Sequence, residues 1–209
     1  MYDMEYFEWQ RIVGEFGGKA NLFKFAEHVK PSDVVLDFGC GGGFLLKNIN
    51  CRRRIGVEVN HAAAKVAIEN GVECYSELDE ISDSSIDVVV SNHALEHVHN
   101  PFDVLQKMNA KLASNGLLVL VVPCEATTLP FNPNDRNQHI YTWNPQLLGN
   151  LAMQVGFDVE EVFPVYHKWP RNYIKLQTKF GWKAFHLLSR LKGRRQKYDF
   201  QVKLVARKK

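Results

Sequence analysis

Between residues 33 and 122, short apolar runs alternate with helical stretches, and the first run ends in a cluster of glycines. No other feature restricts the possible folds as much. Val34-Val35-Leu36-Asp37 is a β-branched apolar run that enters Phe38-Gly39-Cys40-Gly41-Gly42-Gly43. Residues 54–59, 72–76, 86–91 and 116–122 read as further strands, the last of them ended by Pro123. Residues 44–49 read as the start of a helix. Residues 61–70 read as an Ala-rich helix closed by Asn70-Gly71, and residues 101–112 as a helix with proline in its first turn. Beyond a polar loop, residues 144–155 form a helix capped by Asn144 with Pro145 at its first position. Residues 157–165 and 201–207 alternate as sixth and seventh strands. Repeated β-α units with apolar strands predict an α/β fold, a parallel sheet with helices on both faces.

A length of 209 residues suits one domain. Hydrophobic residues at 45% and charged residues at 23% exclude collagen-like and wholly disordered chains. The longest apolar run, residues 117–122, is too short to span a membrane. The first residues lack the basic and apolar regions of a secretory signal, and the four cysteines show no Cys-x-x-Cys spacing. The expected setting is therefore the reducing cytoplasm, without a disulfide framework or zinc cluster. Two segments lie outside the β-α pattern. Residues 1–30 read as a helical extension broken at Gly17-Gly18, and residues 166–200 as a helical insertion between strands six and seven.

The charge is unevenly placed. Residues 1–165 hold 12 Lys+Arg against 22 Asp+Glu, whereas residues 166–209 hold 14 against one. Within the insertion, Tyr173, Leu176, Phe180, Ala184, Leu187, Leu188 and Leu191 recur at helical spacing beside a row of Lys175, Lys179 and Lys183. Such a segment is either a solvated amphipathic helix or a surface for an anionic partner: an acidic acceptor, membrane headgroups or nucleic acid.

A glycine turn between strand and helix lets a ligand approach the backbone and aims helix N–H groups at it. The dinucleotide fingerprint Gly-x-Gly-x-x-Gly fails here, because Phe44 stands where the third glycine belongs, and no Walker Lys-Ser/Thr follows the loop. Asp37, at the strand end, would repel a pyrophosphate and attract an ammonium group. Glu58, at the tip of the second strand, can accept hydrogen bonds from both hydroxyls of a ribose. Glu77, after the third strand, is placed to reach an adenine amino group.

With Asp-x-Gly-x-Gly-x-Gly after strand one, an acid ending strand two, and Gly116–Pro123 as strand five, the chain resembles class I S-adenosylmethionine (SAM)-dependent methyltransferases of the small-molecule branch. The segment Ser91-Asn92-His93-Ala94-Leu95-Glu96-His97 also looks like the stretch after strand four in that branch. The resemblance covers about residues 30–165 and the final strand. It implies a Rossmann-like sheet of order 3-2-1-4-5-7-6 with strand seven antiparallel, and SAM as cofactor. It also implies a cofactor pocket lined by Asp37, Phe38, Gly39, Cys40, Gly41, Glu58, Val59, Glu77, Leu78, Asn92 and His93.

His93-Ala94-Leu95-Glu96-His97 matches His-x-x-Glu-His, but His93 directly follows a strand, which disfavours a zinc-peptidase helix. Ubiquinone-biosynthesis O-methyltransferases carry Glu-x-x-Glu-His there, associated with metal. With His93 in place of the first Glu, a hard-cation site is disfavoured, and no metal is expected. Glu96 and His97 are expected to anchor a turn. His93, near the strand tip, and His139, in the loop after strand five, are the candidate general bases for a hydroxyl acceptor. After strand four, DNA amino-methylases carry Asn/Asp-Pro-Pro-Tyr; this chain does not, so DNA is not an expected partner. The expected reaction is methylation of an oxygen or nitrogen of a small, sugar-like or anionic metabolite. An RNA methyltransferase, a non-catalytic SAM-binding protein and a nicotinamide oxidoreductase are the alternatives.

Overall fold

A computed structural model describes residues 13–135, 137–196 and 199–209. Its sheet has seven strands in the order β3-β2-β1-β4-β5-β7-β6. The strands are β1 (Val34–Phe38), β2 (Arg53–Val57), β3 (Glu73–Tyr75), β4 (Ile86–Asn92), β5 (Leu112–Cys124), β6 (Phe157–Val165) and β7 (Phe200–Lys208). β1, β2, β3, β4 and β5 pair in parallel, and β7 runs antiparallel between β5 and β6. The order and direction predicted from the resemblance are those found.

Alternation along the central strands builds two cores. Leu36, Val89, Leu118 and Leu204 face α3 (Pro101–Lys111) and α4 (Pro145–Val155), meeting Leu105, Met108 and Leu148. Their strand neighbours Val35, Val88, Val119 and Val205 face the other way, toward Ala67 of α2 (His61–Glu69), Leu46 and Phe25. Both faces are buried, so these strands read as continuous apolar runs. Helix starts follow their caps: Asn60 accepts from the N–H groups of Ala62 and Ala63, and Asn144 from that of Leu147. No helix among the described residues is long and apolar enough to cross a membrane.

Three local expectations fail. Residues 44–49 do not begin an α-helix; after the glycine loop comes only a 3₁₀ turn, Leu46–Asn48. The described part of α1, residues 13–20, runs straight through Gly17-Gly18. Those glycines permit close approach, since a Cβ on Gly18 would lie 2.2 Å from the Phe44 carbonyl oxygen. The first twelve residues of the predicted extension lie outside the described residues.

β5 does not stop at Pro123. Pro123 and Cys124 still pair with Gln201 and Phe200 of β7. The missing proline N–H faces the β4 side, where β4 has ended at Asn92, so no ladder bond is lost. Within the insertion, α5 (Tyr173–Arg195) is kinked at Gly181, and its buried face is Phe185, Ser189 and Gly193. Phe180, Leu187, Leu188 and Leu191 stay exposed. At Gly193 only glycine fits, because a Cβ there would stand 2.6 Å from the Tyr166 backbone.

Candidate functional site

At the carboxyl ends of β1, β2 and β4 lies a cavity of about 620 Å³. This is where an open α/β sheet places its ligand. The glycine loop forms its floor. Gly39 has a φ of +74°, and a Cβ there would strike that of Ala94 at 2.5 Å, so only glycine fits. The N–H groups of Gly39 and Cys40 both donate to the Val57 carbonyl, folding the loop back over β2.

Glu58 ties the loop to the tip of β2. Its Oε2 accepts from the Gly41 N–H and its Oε1 from the Asn60 N–H, each at 2.8 Å. Each oxygen retains capacity for a further donor. Asp37 lines the same cavity at 3% exposure, and no donor meets its carboxylate among the described residues. Burial, and then the charge of Glu58, hold the Asp37 carboxyl well above the usual range. Two carboxylates, Asp37 and Glu58, line the cavity, and Asn60, the N-cap of α2, stands beside them with its side chain already accepting from its own helix. That set suits a cation carrying a diol and disfavours a pyrophosphate.

Phe38, Cys40, Val59, Asn92 and His93 also line the cavity, as their positions in the sequence suggest. Glu77 and Leu78 do not. Glu77 forms a capping box with Glu80, and Leu78 is buried in the core. From outside the predicted set come Gly17 and Asn21 of the N-terminal segment and Trp169 of the insertion. Phe16 packs against Trp169, Tyr173, Trp182 and Phe185 at centroid distances of 4.7–5.2 Å, clasping the two extra segments together beside the cavity mouth. Only the aromatic content of both segments hinted at this.

The histidines gather around a fully buried carboxylate. His93 holds a left-handed backbone, φ +58°, at the tip of β4, an uncommon state for a non-glycine residue. Its Nδ1 lies 3.2 Å from Oε1 of Glu96. Burial opposes the charged form of Glu96, but the hydrogen bond and charge of His93 outweigh it and hold the carboxyl below its usual value. Among the described residues no hydrogen-bond partner meets Oε2 of Glu96. His139 bonds Glu125 through Nδ1 at 2.9 Å and brings Nε2 to 3.8 Å from Oε1 of Glu96. His97 lines the cavity and packs edge-on to His139, and burial lowers its pKa. His139 itself stands behind His97 and does not line the cavity. One atom each of Glu96, His97 and His139 lie within 4.8 Å of one another, so the set has ligand types that suit a divalent transition metal.

Residues 9–162 match the family described as a methyltransferase domain, and the chain belongs to that family. Its sheet is that of the class I, Rossmann-like type. A SAM-dependent methyltransferase from Archaeoglobus fulgidus superposes with a TM-score of 0.68 at 20% identity, over 99% of this chain and 100% of that one. A phosphoethanolamine N-methyltransferase 2 from Haemonchus contortus, in complex with phosphomonomethylethanolamine and S-adenosylhomocysteine, superposes with a TM-score of 0.67 at 16% identity. That superposition covers 91% of this chain and 53% of that one. A Mycolicibacterium smegmatis protein named as a probable SAM-dependent methyltransferase is 28% identical over 145 residues, 64% of this chain and 55% of its own length. A ubiquinone biosynthesis O-methyltransferase from Haemophilus ducreyi is 32% identical over 102 residues, 41% of this chain and 43% of its own. The chain spans about half the length of these curated relatives.

Proposed function

We propose that the protein transfers a methyl group from SAM to an oxygen or nitrogen of a small acceptor. The reading rests chiefly on the pairing of Asp37 and Glu58 across the glycine loop. A buried carboxylate without a donor fits an α-ammonium, and Glu58 offers both oxygens to a ribose diol. When bound, SAM supplies a methyl group activated by its sulfonium. The chain's own work is to align the acceptor and exclude water, which can be worth about 7–11 kcal/mol. For a hydroxyl acceptor, His93 is the proton acceptor, since its ring lines the cavity and is held by Glu96. His139, held by Glu125, would act only through Glu96, whose Oε1 lies 3.8 Å from its Nε2.

Trp169 lines the cavity, which supports a role for the insertion in selecting the acceptor. Leu187, Leu188 and Leu191 stand exposed on α5 beside basic residues, which favours an anionic acceptor or contact with anionic membrane headgroups. The test is transfer of labelled methyl from SAM to a panel of hydroxyl and amine metabolites. The expected result is turnover of a small acceptor that falls at least about a hundredfold in His93→Ala. Labelling of RNA alone, or of no acceptor, would overturn the reading.

A further inference from the structure

A second cavity, of about 350 Å³, opens between the N-terminal segment, the end of β6, the start of β7 and the last turns of α5. Four cationic side chains line it: Lys24, Arg190, Arg194 and Lys203. Among the described lining residues the only acid is Glu27. Two of the cations are deeply buried, Lys24 at 2% exposure and Lys203 at 4%.

Their partners do not balance them. Glu27 bonds Lys203 at 3.0 Å. The Lys24 ammonium donates to a neutral group, Oδ1 of Asn92, at 3.1 Å. Arg190 lies 5.9 Å from the centre of the Phe23 ring. Among the described residues no carboxylate meets Lys24, Arg190 or Arg194. Burying a cation without a counter-charge is costly, so an anion entering this cavity removes a penalty as well as making contacts. Burial, and then the charge of Lys203, push Lys24 down to about 7, as an uncompensated positive site requires. The planar forks of two arginines match the oxygens of a tetrahedral oxyanion.

We propose that this cavity is a binding site for a phosphate-class oxyanion, with Arg190, Arg194 and Lys203 as its ligands and Lys24 completing the positive field. The site is separate from the glycine-loop cavity and does not depend on the methyl-transfer reading. The two share a wall, because Asn92, which holds Lys24, lines the larger cavity.

The probe is inorganic phosphate, titrated into the full chain by calorimetry at neutral pH, with chloride at matched ionic strength as reference. Saturable binding is expected. Arg190→Gln and Arg194→Gln should each weaken it about tenfold, while Lys65→Gln, on α2, leaves it unchanged. Both arginines are exposed, so the variants should keep the fold, which circular dichroism verifies. Absence of saturable binding would overturn the proposal, as would wild-type affinity in the double arginine variant. Sedimentation with phosphatidylcholine vesicles, with and without phosphatidic acid, separates the sources of the anion. Phosphate-displaceable binding to phosphatidic acid assigns a lipid headgroup. Saturable phosphate binding without vesicle binding assigns a free phosphomonoester.

Discussion

Oε2 of Glu58 accepts the Gly41 N–H at 2.8 Å, so the carboxylate that ends the second strand also holds the glycine loop. The same group thus shapes the floor of the cavity and offers acceptors to its ligand. Glu58→Gln keeps the size and loses the charge. It should weaken S-adenosylhomocysteine binding by about ten- to a hundredfold, as expected for charge-assisted hydrogen bonds to two hydroxyls. Calorimetry measures this directly, and wild-type affinity would remove Glu58 from the site.

The approach of α1 to the loop is equally specific. Adding one methyl group at Gly18 drives it to 2.2 Å from the backbone oxygen of Phe44, which cannot move aside as a side chain could. Gly18→Ala should destabilise the protein by about 1–3 kcal/mol in urea unfolding. An unchanged midpoint would mean that α1 does not pack there.

Lys24 makes stability depend on pH with a definite sign. Its pKa is about 7 in the folded chain against an ordinary value of 10.5. Between those values the unfolded state binds the extra proton, so stability rises with pH, by up to about 1.4 kcal/mol per unit. At and below pH 7 the penalty is fully present. Lys24→Met should therefore be stabilised relative to wild type near pH 7, with the gap closing as pH rises toward 10. Urea midpoints in phosphate-free buffer across that range test it. A gap independent of pH would show that Lys24 is not a buried cation.

We propose that the buried Glu96 and its histidines handle a proton and hold no metal. Glu96 is occupied by His93, and His139 by Glu125. Treatment with a chelator should therefore leave the thermal midpoint unchanged, and added zinc should not raise it. A loss on chelation of more than about 4 °C, restored by zinc, would assign the cluster to a metal instead.

The strands, the glycine loop and the carboxylates Asp37 and Glu58 could be read locally. Apolar periodicity and strand-end acids are written in contiguous residues. What could not be read depends on distant backbone. Gly17-Gly18 looks like a helix break until Phe44 is seen against it. Gly193 takes the inner face of α5 because it meets the backbone of Tyr166. The leucine row beside it, apolar by pattern, faces outward. The basic cavity brings Arg190 and Arg194, one turn apart on α5, together with Lys24 and Lys203, and no spacing connects those three segments. Glu77, the right residue type after the third strand, is engaged in capping its own turn.

Asp37 carries the most direct test. Its carboxylate is buried, meets no donor among the described residues, and is held well above the ordinary range by burial and by Glu58. A bound ammonium would relieve that cost. Calorimetry of SAM with wild type and Asp37→Ala decides the matter. The expected result is saturable binding to wild type, at least about tenfold weaker in the variant, whose ligand-free melting point is no lower. Equal affinity in the two proteins, or no binding to wild type, would contradict the assignment of this cavity to SAM.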